Sequence, residues 1–340
     1  MLPLVSTELG AISPTMYARL ACPARVAFGQ GGPDGQVASS EAAIVGLIAH
    51  QAMELAVRGQ SVDEAWSIAV NASADRGEQP DSLTRLRRAR LRYQLRVADA
   101  LTFTEGVDES NVHCEEKLTS EHGTLEGTPD LVVVRGDRCD IVDFKTGLVI
   151  DYDEQMPKAG YARQIRIYAR LAEEAYGVAA SRGVLLSFRE GPVDINVGTP
   201  EVKNAVREAL DRRQRYNDRA PGPQPPEAGS ETCRWCSHQV FCDGFWEAVG
   251  DSSSELAGQA LRGTICVTPQ RSQNALLAVQ VDVSAGTRAG TVATIAEIPV
   301  AEAEGWAIGD ELSVTGLKRR PLDHDVYFYT RRSTSLRNPK

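Results

Sequence analysis

Two apolar, β-branched runs face each other across a tight turn in the middle of the chain: Leu131-Val-Val-Val before Arg135-Gly136-Asp137, and Ile141-Val-Asp-Phe after it. Runs of this kind joined by a Gly-Asp turn predict an antiparallel hairpin. Asp130 opens its first strand, and Asp143 lies inside its second, two positions before Lys145. Side chains two apart on a strand share a face, so Asp143 and Lys145 project together. Strand pairing brings Asp130 alongside, where both carboxylates can meet one divalent cation. Oxygen ligands suit Mg²⁺ or Mn²⁺ better than zinc.

This combination suits phosphodiester hydrolysis, which needs a water made nucleophilic and a developing negative charge neutralised. A carboxylate-held cation does both, and a lysine adds a fixed positive charge beside the phosphoryl oxygens. Asp137 and Asp140 read as ordinary solvated residues of a strand edge. Glu115 and Glu116 precede the hairpin on a predicted strand, and alternation does not say which of them faces the site.

The 340 residues allow two units, and 42% hydrophobic with 24% charged residues excludes a disordered or fibrous chain. No apolar run approaches the ~20 residues that span a bilayer, and the first residues lack a leader pattern. The expectation is a cytoplasmic protein with no membrane contact. The net charge of −9 excludes a passive polyanion coat, so contact with nucleic acid requires local basic patches or a bound cation. Seven cysteines without a secretion signal argue against a disulfide framework.

Ser13-Pro14 predicts a short helix carried past Cys22. A mostly apolar helix is expected from 39 to 59 and an arginine-rich one from 82 to 101. After the hairpin come a helix at 160–176, strands near 183–188 and 193–197, and a helix at 200–219. The proline-rich stretch 220–229 ends it. Beyond a linker at 251–260, five short β runs suggest a small barrel, with an OB-fold as the best single match. There is no phosphate-binding loop of the G-x-x-x-x-G-K-[ST] type, so the chain carries no recognisable ATP motor.

Cys233, Cys236 and Cys242 form a C-x2-C-x5-C group, three thiolates that need a fourth ligand to close a tetrahedral or cubane site. His238 could complete a zinc site, the alternative reading. Cys114, Cys139 and Cys266 have no ligand spacing and read as core residues. Six arginines lie between Arg85 and Arg96. Arg85, Arg88, Arg92 and Arg96 fall near one stripe, which suits phosphate contact or a solvated face. In the barrel, Lys318, Arg319, Arg320, Tyr327, Phe328, Tyr329, Arg331 and Arg332 suggest either base stacking or a packed strand face.

Pro129-Asp130 with Asp143-Phe144-Lys145 resembles the PD-(D/E)XK nuclease signature. Gln164-Ile-Arg-Ile-Tyr168 is similar to the Q-x-x-x-Y element of its RecB-like branch, and Gly46-Leu-Ile-Ala-His50 to the G-x-x-x-H motif of that branch. Asp143 stands where many relatives carry Glu. The resemblance implies an α/β restriction-endonuclease-like core, a mixed sheet flanked by helices, over residues 1–250, with the all-β OB-like domain at 261–340. It implies that His50, Asp130, Asp143 and the Phe144 carbonyl hold the ion, that Lys145 is the catalytic lysine, and that Gln164 and Tyr168 orient Lys145 or the scissile phosphate. Cys22 matches the lone upstream cysteine of the iron–sulfur subgroup, which includes AddB and CRISPR spacer-acquisition nucleases. A [4Fe–4S] cluster on Cys22, Cys233, Cys236 and Cys242 follows from that resemblance.

By the same resemblance the chain is expected to be a Mg²⁺- or Mn²⁺-dependent deoxyribonuclease, exonuclease rather than endonuclease. It would act on single-stranded DNA ends or flaps in repair, recombination or defence, with a separate helicase or defence-complex subunit as partner. The alternative is a catalytically silent nuclease-fold subunit that binds DNA or serves as a scaffold.

Overall fold

The computed structural model describes residues 6–31, 41–77, 83–233, 236–252, 259–271, 276–287, 289–321, 323, 325–330 and 333–338. The chain forms two compact units. One comprises residues 8–18 and 39–218, the other residues 1–7, 19–38 and 219–340.

In the first unit a five-stranded sheet runs in the order Val112–Cys114, Leu131–Arg135, Arg138–Lys145, Ala179–Ser187, Gly191–Ile195. The expected hairpin is present, with Leu131 opposite Val142 and Arg135 opposite Arg138. On its other side Arg138–Lys145 pairs parallel with Ala179–Ser187, Lys145 opposite Ser187. A parallel neighbour requires a crossover, and the Ala159–Tyr176 helix supplies it. The central strand is therefore covered on both faces, and its run of buried residues from Ile141 to Phe144 reflects this. Phe144 points into a core built with Ile48, Met53, Trp66, Tyr93 and Leu186, fed by three helices, Glu41–Val57, Val62–Asp75 and Leu83–Thr102. By alternation Asp143 and Lys145 take the opposite face.

Three sequence expectations need correction here. The first helix does not continue past Cys22: it is split into Pro14–Arg19 and Pro23–Gly31, because Pro23 lacks the N–H that would continue the ladder. The predicted strand before the hairpin ends at Cys114, short of Glu115 and Glu116, and Glu126–Gly127 pairs with Leu118–Thr119 rather than joining the main sheet. The Val62–Asp75 helix was not anticipated, although Ser61 caps it by accepting from the Glu64 amide at 3.4 Å.

The second unit contains a closed barrel of five strands, Gln259–Arg271, Leu276–Gly286, Val292–Pro299, Glu311–Arg319 and Val326–Phe328. Around the barrel they run first, second, third, fifth, fourth and back to first, with Thr334–Asn338 added outside the fourth. The third and fifth pair parallel and the other pairs antiparallel. Inward-facing Ile265, Val281, Ile295, Val314 and Tyr327 fill the interior. Cys266 is exposed, contrary to its expected core role, because alternation places Ile265 inside. Tyr327 is fully buried and Tyr329 packs partly against the same core, so the packed-face reading holds for this pair. Arg331 and Arg332 lie outside the described residues, as does 253–258 of the linker. Among the described residues, no helix is long and apolar enough to cross a membrane.

Candidate active site

Four elements of the first unit bring the site together. His50 comes from the Glu41–Val57 helix, and Asp130 from the residue before the Leu131–Arg135 strand. Asp143 and Lys145 come from the end of Arg138–Lys145, and Tyr161, Gln164 and Tyr168 from the Ala159–Tyr176 helix. Asp130 is 7% and Asp143 2% exposed, burial that a carboxylate tolerates only with partners.

Asp130 has them. Its Oδ1 lies 3.4 Å from His50 Nδ1, and its Oδ2 accepts a short hydrogen bond from the Phe144 amide. Burial alone would push its pKa up, but the His50 and Lys145 charges and the Phe144 N–H together hold it below the ordinary carboxylate value. For His50, burial works against protonation, yet contact with Asp130 and the charge of Asp143 raise its pKa overall. Lys145 is likewise depressed by burial but raised on balance by its ion pair with Asp143 Oδ2. Asp143 remains high, pushed up to about 6 by burial and then by the Asp130 charge, against the pull of Lys145.

The structure singles out Glu115, which the sequence left undecided against Glu116. Ligand atoms of His50, Glu115 and Asp130 all lie within 4.8 Å of one another. Three ligand atoms gathered this closely could hold a metal ion. Burial of its carboxyl, followed by the Asp130 charge, raises the Glu115 pKa to about 7, a mutual repulsion that a cation would relieve. The backbone is arranged to deliver this side chain. Glu115 has φ 52°, in the left-handed region, and its amide donates to the Asp130 carbonyl at 3.2 Å. Its neighbours pin the kink: Arg58 donates to the Cys114 carbonyl at 2.8 Å, and Glu116 accepts from Tyr176 at 3.1 Å beside His113 at 2.9 Å. Both glutamates follow the last residue of the Val112–Cys114 strand, and the pairing of Cys114 with Leu131 puts Glu115 on the Asp130 side.

Asp143 lies outside the His50–Glu115–Asp130 group and is turned toward Lys145. The Lys145 ammonium also lies 5.2 Å from the Tyr161 ring centroid, and Lys158 lies 5.9 Å from the same ring. Gln164 Nε2 donates to Tyr168 Oη at 3.1 Å. Tyr168 sits close under the Glu126–Gly127 strand, where a Cβ on Gly127 would come within 2.6 Å of its ring. The motif residues therefore line the helix face that looks onto Asp143 and Lys145.

The arginine stripe divides. Arg88 is exposed and Arg92 half-buried, while Arg96 is turned to Asp99 at 3.0 Å with its guanidinium against Gly191. Arg90 pairs with Asp63 at 2.9 Å, and Leu91 and Leu95 are 61% and 69% exposed beside them.

In the second unit Cys22, Cys233, Cys236 and Cys242 line one cavity, joined by Phe28 and His238, whose rings stack at 5.2 Å. The Glu227 amide donates to Cys22 Sγ at 3.3 Å. Burial raises the thiol pKa of Cys236, and that of Cys242 to about 11. Among the described residues no three of these thiols lie within 4.8 Å of one another.

The sequence profile of the PD-(D/E)XK nuclease superfamily matches residues 11–243. Among solved structures the chain is similar to SSO0001, at 16% identity over 70% of this chain and 88% of that one, with a TM-score of 0.32. It is also similar to a candidate exonuclease from Eubacterium rectale, at 13% identity over 67% and 88% of the two chains, with a TM-score of 0.43. No curated protein matches the chain in sequence.

Proposed function

The chain belongs to the PD-(D/E)XK nuclease superfamily, and on that premise we propose that it is a Mg²⁺- or Mn²⁺-dependent deoxyribonuclease of the RecB-like branch, an exonuclease acting on single-stranded DNA ends or flaps. The observation that carries this reading is the His50–Glu115–Asp130 group, its ligand atoms within 4.8 Å of one another, beside the Asp143–Lys145 ion pair. His50, Asp130 and Glu115 would hold the cation, with Asp143 and the Phe144 carbonyl completing its shell. The bound cation supplies a water of lowered pKa and neutralises charge on the phosphoryl oxygens. The protein's own residues do the rest. The Phe144 amide fixes Asp130, Asp143 and Tyr161 hold the Lys145 ammonium, and that ammonium meets the charge that develops as the phosphate is attacked. Gln164 and Tyr168 act as a bonded pair that orients the phosphate or Lys145. Arg85, Arg88 and Arg92 would bind the backbone away from the reacting bond.

The modular reading is a nuclease part over 1–250, a join at 251–260 and an OB-like part over 261–340. It is supported by the superfamily match ending at residue 243 and by the barrel's strand order with its parallel third–fifth pair. A [4Fe–4S] cluster on Cys22, Cys233, Cys236 and Cys242 is supported by the one cavity that all four line. Anaerobically purified protein is expected to contain about four iron and four sulfide per chain. Cys236→Ala is expected to lose most of both and to unfold at lower temperature. Iron-free protein with unchanged melting would reject the cluster.

The test of function is incubation with end-labelled single- and double-stranded oligonucleotides and Mn²⁺. Mononucleotides or short products should be released from single strands and stop on chelation. Intact substrate in both arms would reject the nuclease reading. Repair, recombination or defence is the expected setting, with a separate helicase or defence-complex subunit to open duplexes.

A further inference from the structure

The segment between Lys145 and the Ala159–Tyr176 helix is a small hairpin, Ile150–Asp151 paired with Met156–Pro157. Its tip exposes two large apolar side chains, Tyr152 at 58% and Met156 at 59%. A Cα seven residues from Lys145 is at most ~25 Å away, and both ends of the hairpin are fastened to the lysine's surroundings.

On the incoming side the Lys145 carbonyl accepts from the Phe188 amide at 2.8 Å, and Ser187 Oγ donates to the Gly147 carbonyl at 2.9 Å. On the outgoing side Lys158 Nζ donates to the Leu148 carbonyl at 2.8 Å and lies against the same Tyr161 ring as Lys145. Glu190 ties the tip to this frame. One of its oxygens accepts from the Val149 amide at 2.5 Å and from Ser187 Oγ at 3.3 Å, and the other from Tyr152 Oη at 2.9 Å. The tyrosine is thus held by its hydroxyl while its ring stays in solvent. Holding an exposed ring costs side-chain entropy and gains little from burial, so the arrangement fits a surface kept ready for a flat ligand.

The charge around it narrows the ligand. Asp151, Asp153 and Glu154 occupy the same tip, Asp151 Oδ1 accepting from the Asp153 amide at 3.1 Å and from the Glu154 amide at 3.5 Å. Carboxylates repel phosphates, so a backbone would pass on the side of Lys145 and Lys158, and only an uncharged part would reach the ring. An unpaired base meets both conditions. A duplex does not: its bases are stacked and its second backbone would meet the acidic tip.

We propose that Tyr152, backed by Met156, is a base-stacking platform that makes this site select single-stranded nucleic acid. The inference rests on the nuclease reading and assigns its specificity to this hairpin.

The test is fluorescence anisotropy with labelled single-stranded and duplex oligonucleotides in EDTA, so that binding is read without cleavage. Tyr152→Ala should weaken single-strand binding about tenfold, the lower part of the range for loss of one stacked base, and leave duplex binding and melting temperature unchanged. Tyr152→Trp should retain wild-type affinity. An abasic site moved along the strand should cost the wild type about tenfold at one position and cost Tyr152→Ala nothing there. Equal single-strand affinity of Tyr152→Ala and wild type, or equal abasic penalties in both at every position, would overturn the stacking role alone. Wild-type protein that neither binds nor cuts either oligonucleotide would overturn the nuclease reading itself.

Discussion

In the Lys145→Ala variant, phosphodiester hydrolysis is expected to fall by about 10²–10⁴-fold, the range for removing one charge-stabilising or proton-handling group. The reason is local. Lys145 sits against Asp143 and the Tyr161 ring, and burial has not cost it its charge because Asp143 offsets the desolvation. Removing the ammonium leaves the phosphate to be attacked without that donor. It also leaves Asp143, already pushed up to about 6, without its cationic neighbour. Divalent-cation binding should survive, because none of the residues proposed to hold the cation is removed and Lys145 is not among the His50–Glu115–Asp130 group. Single-turnover cleavage of labelled single strands and Mn²⁺ binding followed by electron paramagnetic resonance separate the two effects. Activity within fivefold of wild type would remove Lys145 from the chemistry.

The largest effect on stability is expected in the barrel. Gly263 sits at a register shift in the first barrel strand, and a Cβ there would lie 2.1 Å from the Asp282 carbonyl oxygen and 2.8 Å from both the Asp282 carbonyl carbon and Val281 Cγ1. The two Asp282 atoms are backbone of the facing strand, so relief requires the strands to part. Gly263→Ala should cost about 2–4 kcal/mol, at the upper end of overpacking penalties, and lower the barrel's melting temperature by roughly 10–20 °C. Wild-type thermal unfolding of the variant would show that the strands yield there at no cost.

Much of the site was legible because its core is local. Asp130, Asp143 and Lys145 belong to one hairpin, whose alternation puts Phe144 in the core and its neighbours on the opposite face. Gln164 and Tyr168, four apart on one helix, were also readable as a pair. Glu115 was not, because choosing it over Glu116 requires knowing that Cys114 faces the core opposite Leu131, a register set by pairing between distant segments. The arginine helix was only half legible. Its helical stripe was visible, but the tie of Arg96 to Asp99 and the exposure of Leu91 and Leu95 depend on what packs on the other side. The alternating Tyr327 and Tyr329 admitted two readings until barrel closure buried the first.

By itself, the sequence determined the hairpin with its acid, acid and lysine, the crossover helix, the barrel-forming strands and the end of a helix at the proline-rich stretch 220–229. Each follows from dihedral preferences and periodicities that act over a few residues. Only the tertiary structure decided that Glu115 joins His50 and Asp130, that Cys22 shares a cavity with cysteines more than two hundred positions away, and that Tyr152 is held in solvent by Glu190. Those outcomes depend on which distant segments come into contact, and packing sets that without leaving a periodic trace in the chain.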